Sequence, residues 1–316
     1  LKSTASAPAK IILFGEHFIV YGGKAILCSI NKRITVESEL TKTGQIEIES
    51  SLGKLKTSKS VSYKNADLVF RPIVYIAQRM LEKFHSDSGI KIIVRAEFPS
   101  GVGLGSSSAC CVAAAASISG LFENNTKEEI LKMSIDAERT IFENTSGADC
   151  TACVYGGILE YNKDGHVKKL EFVPEFDLVV ANSGITHSTS RVVSMVRQFK
   201  DERQEVFSSL CTQEASLIEE ALNALQKNDL AKIGKLMTRN QEFLEKIGVS
   251  NDTLGSMISL VKDVSYGAKI TGAGDGGCII ALADKANLDR TLGALAKKYE
   301  CFSAKIDMIG LEQSST

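Results

Sequence analysis

A glycine-serine segment, Pro99-Ser100-Gly101-Val102-Gly103-Leu104-Gly105-Ser106-Ser107-Ser108, is the part of this 316-residue chain best suited to hold an anion. Glycines at alternate positions let the backbone turn tightly and bring its N–H groups close to a charged ligand. The apolar run before it (Ile90, Ile92, Val94) reads as a strand, and the small residues after it predict a helix over 106–119. The serines therefore stand at a helix start, where unpaired N–H groups and the helix dipole favour negative charge. They could cap that helix, bind phosphate oxygens or ligate a divalent cation. The segment lacks the Lys-Ser/Thr end of a Walker loop and the glycine spacing of a dinucleotide fingerprint. A glycine turn with a serine cap and no ligand is the plain alternative.

Several ionisable residues could supply chemistry beside such a loop. Thr126 and Glu129 form a capping box that opens a helix expected to run to about residue 144. On it, positions 131, 135, 138 and 142 share a face, and Glu138 interrupts an otherwise apolar stripe of Leu131, Ile135 and Phe142. An unpaired buried carboxylate is costly, so Glu138 is expected to be ion-paired, metal-bound or not fully buried. Asp149 follows in Ser146-Gly147-Ala148-Asp149, on a loop expected to lead into a strand near 153–161. Lys10 interrupts an apolar strand, Ala9-Lys10-Ile11-Ile12-Leu13-Phe14, which ends in Gly15-Glu16-His17. Singly, these would be a salt-bridged glutamate, a turn aspartate, a solvated lysine and a structural histidine. Together with an anion loop they supply a cation ligand and groups to orient an attacking hydroxyl.

The elements that must position them follow an α+β order. Strands are predicted over 9–14, 25–38, 44–50 and 90–98, with a helix over 66–85 and a hairpin from 153–161 to 167–172. Past Val173-Pro174-Glu175 the pattern changes to a strand at 177–182, long amphipathic helices over 190–247 and a helix near 252–263. Strands at 268–271 and 278–283, a helix at 286–299 and a strand at 301–310 complete the chain. Two α+β domains are expected, residues 1–175 and 176–316.

Composition narrows the functional classes. Lys and Arg total 37 against 38 Asp and Glu, with no basic block to track a phosphate backbone, so nucleic acid is not an expected partner. No apolar run approaches the ~20 residues that span a bilayer, and no signal-peptide pattern is visible, so a cytoplasmic protein without a membrane partner is expected. Of eight cysteines, only Cys150 and Cys153 form a CxxC pair, with no histidine at ligand spacing. They read as buried hydrophobes of a reducing compartment rather than a zinc site.

The segment Pro8–His17 with Val20-Tyr21-Gly22, the loop at 99–109, and Lys269-Ile270-Thr271-Gly272-Ala273-Gly274-Asp275-Gly276-Gly277-Cys278 resemble, in order, the three motifs of the GHMP kinases. The wording of the first is closest to the mevalonate kinase branch. The Asp-Tyr-Asn turn usual in galactokinases is absent, and mevalonate diphosphate decarboxylases lack the Leu-Phe-Gly-Glu-His stretch. Asp275 stands where many relatives carry Gly.

The resemblance implies an N-terminal domain like ribosomal protein S5 domain 2, a ferredoxin-like C-terminal domain, and a cleft where ATP meets an alcohol. It implies ATP bound by residues 99–108, Mg²⁺ held by Ser107 (or Ser106) and Glu138, and Asp149 as the catalytic carboxylate with Lys10 as its partner. Glu16, His17, Ser146, Thr271 and Gly272 would line the alcohol side. Mevalonate phosphorylated on its C5 hydroxyl is the implied reaction. Phosphomevalonate, homoserine or sugar kinases are the alternatives within the superfamily, and a ligand sensor on the same fold is the non-enzyme alternative. A homodimer is the expected assembly.

Overall fold

Two long antiparallel strands carry the first motif and organise everything built on it. The computed structural model describes residues 1–186 and 188–315. In chain order its first part holds β1 (Lys2–Phe14), β2 (Lys24–Thr41), β3 (Gln45–Ser50), β4 (Gly53–Ser58), α1 (Arg71–Lys83) and β5 (Gly89–Ala96). Then come α2 (Ser106–Ser119), α3 (Lys127–Glu138), α4 (Ala148–Tyr155), β6 (Ile158–Asn162) and β7 (Val167–Lys169). β2 is long enough to serve two neighbours: residues 34–41 pair with β5 and residues 24–28 with β6. β4 escapes sequence reading because it carries almost no apolar side chain. Lys54 and Lys56 blunt it as the sheet edge.

The small-residue helix forms at its expected bounds. α2 buries Ala113 to Ala116 completely and touches β1, α1, α3 and α4, which only side chains of this size permit. Inserting even one larger side chain into such a core typically costs about 1–3 kcal/mol.

Two expectations around the carboxylates are corrected. The helix opened by Thr126 ends at Glu138, and Thr145 from the following loop folds back onto the Glu138 carboxylate. Its buried face is Ile130, Ser134, Ala137 and Glu138, so Leu131 and Ile135 are only partly covered and Phe142 is exposed. Residues 148–155 form α4, not a loop and strand. Gly147, at φ 76°, turns the chain into a helix of eight residues, too short to show a period, and Gly156 and Gly157 end it with positive φ.

The second part holds β8 (Asp177–Asn182), α5 (Thr189–Glu202), α6 (Gln204–Gln226), α7 (Leu230–Lys246) and α8 (Asp252–Val261). It continues with β9 (Gly267–Thr271), β10 (Cys278–Ala283), α9 (Leu288–Ala296) and β11 (Glu300–Ala304). Its antiparallel sheet runs β11-β8-β10-β9, which is the ferredoxin-like order with four helices in the first crossover. The boundary expected at 175 does not account for the chain's end. β12 (Glu312–Ser315) returns to the first sheet and pairs with residues 3–6 of β1. Among the described residues no helix is long and apolar enough to cross a membrane.

Candidate active site

The three glycine-bearing segments meet where β1 ends. The Thr271 hydroxyl accepts from the Ile12 amide and donates to the Ile12 carbonyl, both at 3.0 Å, joining β9 to β1. The Lys10 amide donates to the Leu104 carbonyl at 3.0 Å, drawing the glycine-serine loop onto the same strand. Gly105 sits at φ 70°, and a Cβ there would lie 2.8 Å from Cγ of Lys10, so only glycine fits. Gly103 and Gly272 pack against each other: a Cβ on Gly272 would be in van der Waals contact, 3.4 Å from the Gly103 carbonyl oxygen. With glycine at its N-cap, α2 has no capping side chain, and its first-turn N–H groups are left for a ligand.

Lys10 and Asp149 form an ion pair at 2.9 Å, the lysine side chain 5% exposed and the aspartate 37%. The cation is thus buried behind a carboxylate that is open on its other side. Asp149 stands in the first turn of α4, where the helix dipole favours a negative charge. Glu138 is buried nearby. It accepts from the Ser108 hydroxyl and, at 2.6 Å, from Thr145 Oγ1. Burial raises its pKa first, and the charge of Asp149 adds to the rise. Of the four loop serines, Ser108 touches Glu138, whereas Ser100, Ser106 and Ser107 line an adjoining cavity of about 280 Å³. That cavity is otherwise mainly apolar, walled by Leu52, Leu68, Val69, Phe70, Ile73, Val94, Ile141 and Phe142 among others.

The residues expected on the alcohol side separate into two groups. His17 Nε2 lies 2.7 Å from the Ala273 carbonyl, which can only accept, so Nε2 carries the proton and Nδ1 is the acceptor. Burial lowers its pKa, so the ring is held neutral. Ser146 is exposed beside Asp149. Glu16, by contrast, is 1% exposed, and its carboxylate pairs with Lys269 on β9, itself fully buried. Thr271 spends both its hydroxyl bonds on Ile12. Glu16 and Thr271 therefore sit in the seam between β1 and β9, where desolvation of the Glu16 carboxylate is offset by the buried cation. Removing one partner of such a pair typically destabilises by about 3–5 kcal/mol.

A third charge belongs to this seam. Glu214 of α6 accepts from Asn240 Nδ2 at 2.9 and 2.8 Å and lies beside the Gly15 amide. Burial pushes its carboxyl up to about 7, aided by Glu16 and opposed by Asn240 and Lys269. The folded state therefore holds this proton more tightly than the unfolded chain, whose value is near 4.5. Stability from this group falls as pH rises from about 4.5 to about 7, by on the order of 3 kcal/mol at about 1.4 kcal/mol per unit, and is level above. Urea unfolding should show Glu214→Gln gaining on the parent protein as pH is raised from 5 to 8. Parallel pH profiles would contradict the assignment.

Comparison with known proteins decides the family. The model described as GHMP kinases N terminal domain matches residues 68–157, and that described as GHMP kinases C terminal matches residues 221–301. A mevalonate kinase of Pyrococcus abyssi is 35% identical over 296 residues, covering 88% of each chain. The chain belongs to the GHMP kinases. Two solved structures share this GHMP kinase's architecture over nearly its whole length. The mevalonate kinase of Methanococcus jannaschii has a TM-score of 0.87 at 26% identity, covering 96% of this chain and 98% of its own. An L. major mevalonate kinase, solved in complex with R-mevalonate, has a TM-score of 0.82 at 27% identity, covering 95% and 94%.

Sequence reading of this GHMP kinase missed Ser108 and Thr145 as the partners of Glu138, the Glu16–Lys269 pair, and Glu214 with Asn240. A lysine inside the apolar strand Gly267–Thr271 was the one available signal for the pair, since a charge buried in a strand needs a partner. The apolar cavity had no motif. It includes residues 68–70 of the stretch 61–71 that position in the fold suggests for adenine.

Proposed function

We propose that this GHMP kinase transfers the γ-phosphoryl group of ATP to the C5 primary hydroxyl of mevalonate, giving 5-phosphomevalonate and ADP. The observation that carries the reading is the Lys10–Asp149 ion pair beside an uncapped glycine-serine helix start. Its support is the likeness to mevalonate kinases along most of the chain.

Adenine would occupy the apolar cavity, with the triphosphate passing from Ser106 and Ser107 along the amides of residues 101–107. The transition state of phosphoryl transfer is loose and highly charged, so the residues work by positioning and by electrostatics. The C5 oxygen forms its bond to the γ-phosphorus as the bond to the β-bridging oxygen breaks, and the hydroxyl proton passes to Asp149. Lys10 anchors Asp149 through their ion pair and, being buried, offers its charge where the dielectric is low. His17, neutral and with Nδ1 as acceptor, orients the alcohol.

The site's residues fit a divalent cation. Two carboxylates, Glu138 and Asp149, interact repulsively beside a phosphate cradle, and only one of them has a lysine partner. Glu138 with a loop serine, Ser107 by motif or Ser108 by contact, would hold Mg²⁺, which would neutralise phosphate charge. Glu138→Gln should shift the Mg²⁺ titration of activity to higher concentration, and an unshifted titration would remove Glu138 as a ligand.

The reaction itself is tested by ADP release against a panel of mevalonate, phosphomevalonate, homoserine and galactose. Mevalonate should give the highest kcat/KM. Preference for any other member of the panel would overturn the substrate assignment while leaving the family intact.

A further inference from the structure

Three consecutive residues of the first motif are each tied to the second part of the chain. Gly15 lies beside Glu214 of α6, Glu16 pairs with Lys269 of β9, and His17 donates to Ala273 in the loop after β9. The turn they form is one that the backbone would not keep unaided. Gly15 stands at φ 99°, where a Cβ would lie 2.4 Å from the Lys24 carbonyl, and His17 adopts φ 63°, an uncommon value for a residue with a side chain. At the centre is Lys269, fully buried, whose ammonium donates to Glu16 and, at 2.6 Å, to the Ile270 carbonyl. It has no path to a ligand in the cleft. A lysine in this place, where an apolar residue would satisfy the sheet, calls for a role.

We infer that Lys269 is a positioning residue: by pairing with Glu16 it locks the Gly15-Glu16-His17 turn onto β9 and so fixes His17 and the end of β1 on the acceptor side of the cleft. The inference rests on the kinase reading above for its effect on turnover, not for the lock itself. The couple spans 253 positions of sequence and joins the two parts of the chain next to the cleft, so a loosened turn moves acceptor-side groups of β1 relative to the loop that follows β9. The glycine-serine loop has an anchor of its own on β1, the bond from the Lys10 amide to the Leu104 carbonyl, which the Glu16–Lys269 pair does not share. The lock therefore acts selectively on the alcohol.

The test uses the full chain with Lys269→Met, Glu16→Gln and the double variant. Lys269→Met should raise KM for mevalonate by about tenfold or more, the scale of sub-ångström misplacement, and leave KM for ATP within about twofold. The double variant, which also lacks the pair, should be about as impaired as the worse single variant, because the two residues act as one lock. Amide hydrogen exchange over residues 15–20 should quicken in Lys269→Met and in the double variant alike, with residues 101–107 unchanged. If Lys269→Met does not fold, Glu16→Gln alone should show the same selective rise in acceptor KM. A fall in melting temperature with both KM values and the exchange pattern unchanged would reduce the pair to a structural one and overturn the inference. If the parent protein does not turn over mevalonate, the exchange pattern alone decides the lock, and the failure belongs to the substrate reading.

Discussion

Asp149→Asn should lower kcat by about 10²–10⁴, the usual contribution of a general base, with KM for ATP close to its original value. Asparagine keeps the shape of the side chain and loses two things at once: the acceptor for the hydroxyl proton and the partner of Lys10. Asp149 is the carboxylate paired with Lys10, at 2.9 Å, while Glu138 nearby is pushed toward its neutral form by burial and by Asp149. The proposed nucleotide contacts are the loop at 101–107 and the apolar cavity, neither of which the substitution touches. Steady-state kinetics with coupled detection of ADP gives both constants. Near-normal turnover would remove Asp149 as the base.

Lys10→Met should cost about 10²–10³ in kcat, comparable to the loss of one preorganised donor at a charged transition state. Methionine matches the lysine stem that packs against Gly105, so the loop keeps its support while the charge goes. Asp149 would then face Glu138 without a compensating lysine and lose the contact that orients it. The two residues act as a unit, so the Lys10→Met/Asp149→Asn double variant should be little worse than the poorer single variant. Multiplicative losses would mean that the two side chains serve separate steps.

How much of this was legible in the sequence depends on distance along the chain. The strand before the glycine loop and the helix after it, Ser106–Ser119, declare themselves by composition and by the Gly105–Ser106 boundary. Strands Asp177–Asn182 and Cys278–Ala283 stand out as unbroken apolar runs, as strands covered on both faces do. The eight-residue helix that carries Asp149 is shorter than the window in which a helical period can be seen, and only the left-handed Gly147 creates it.

The site residues divide in the same way. Lys10 lies in the first of the three motifs whereas Asp149 lies in none and stood out by its company with the anion loop; their ion pair closes a gap of 139 positions, the difference of their numbers. Thr145 could be placed on Glu138 only once the helix was known to stop there. The Glu16–Lys269 couple lies still further apart, between two motifs that each look complete alone. Glu16 sits next to His17 in sequence, yet its carboxylate is buried against β9. Neighbouring residues on an irregular turn do not share a direction, and no periodicity reports it.

The most direct measurement is phosphorus NMR of the reaction with mevalonate as the only alcohol, run with and without Mg²⁺. The account predicts 5-phosphomevalonate and ADP in equal amounts, with formation abolished when the cation is chelated. ADP appearing without mevalonate, phosphate appearing on another oxygen, or transfer continuing in the presence of chelator would contradict it.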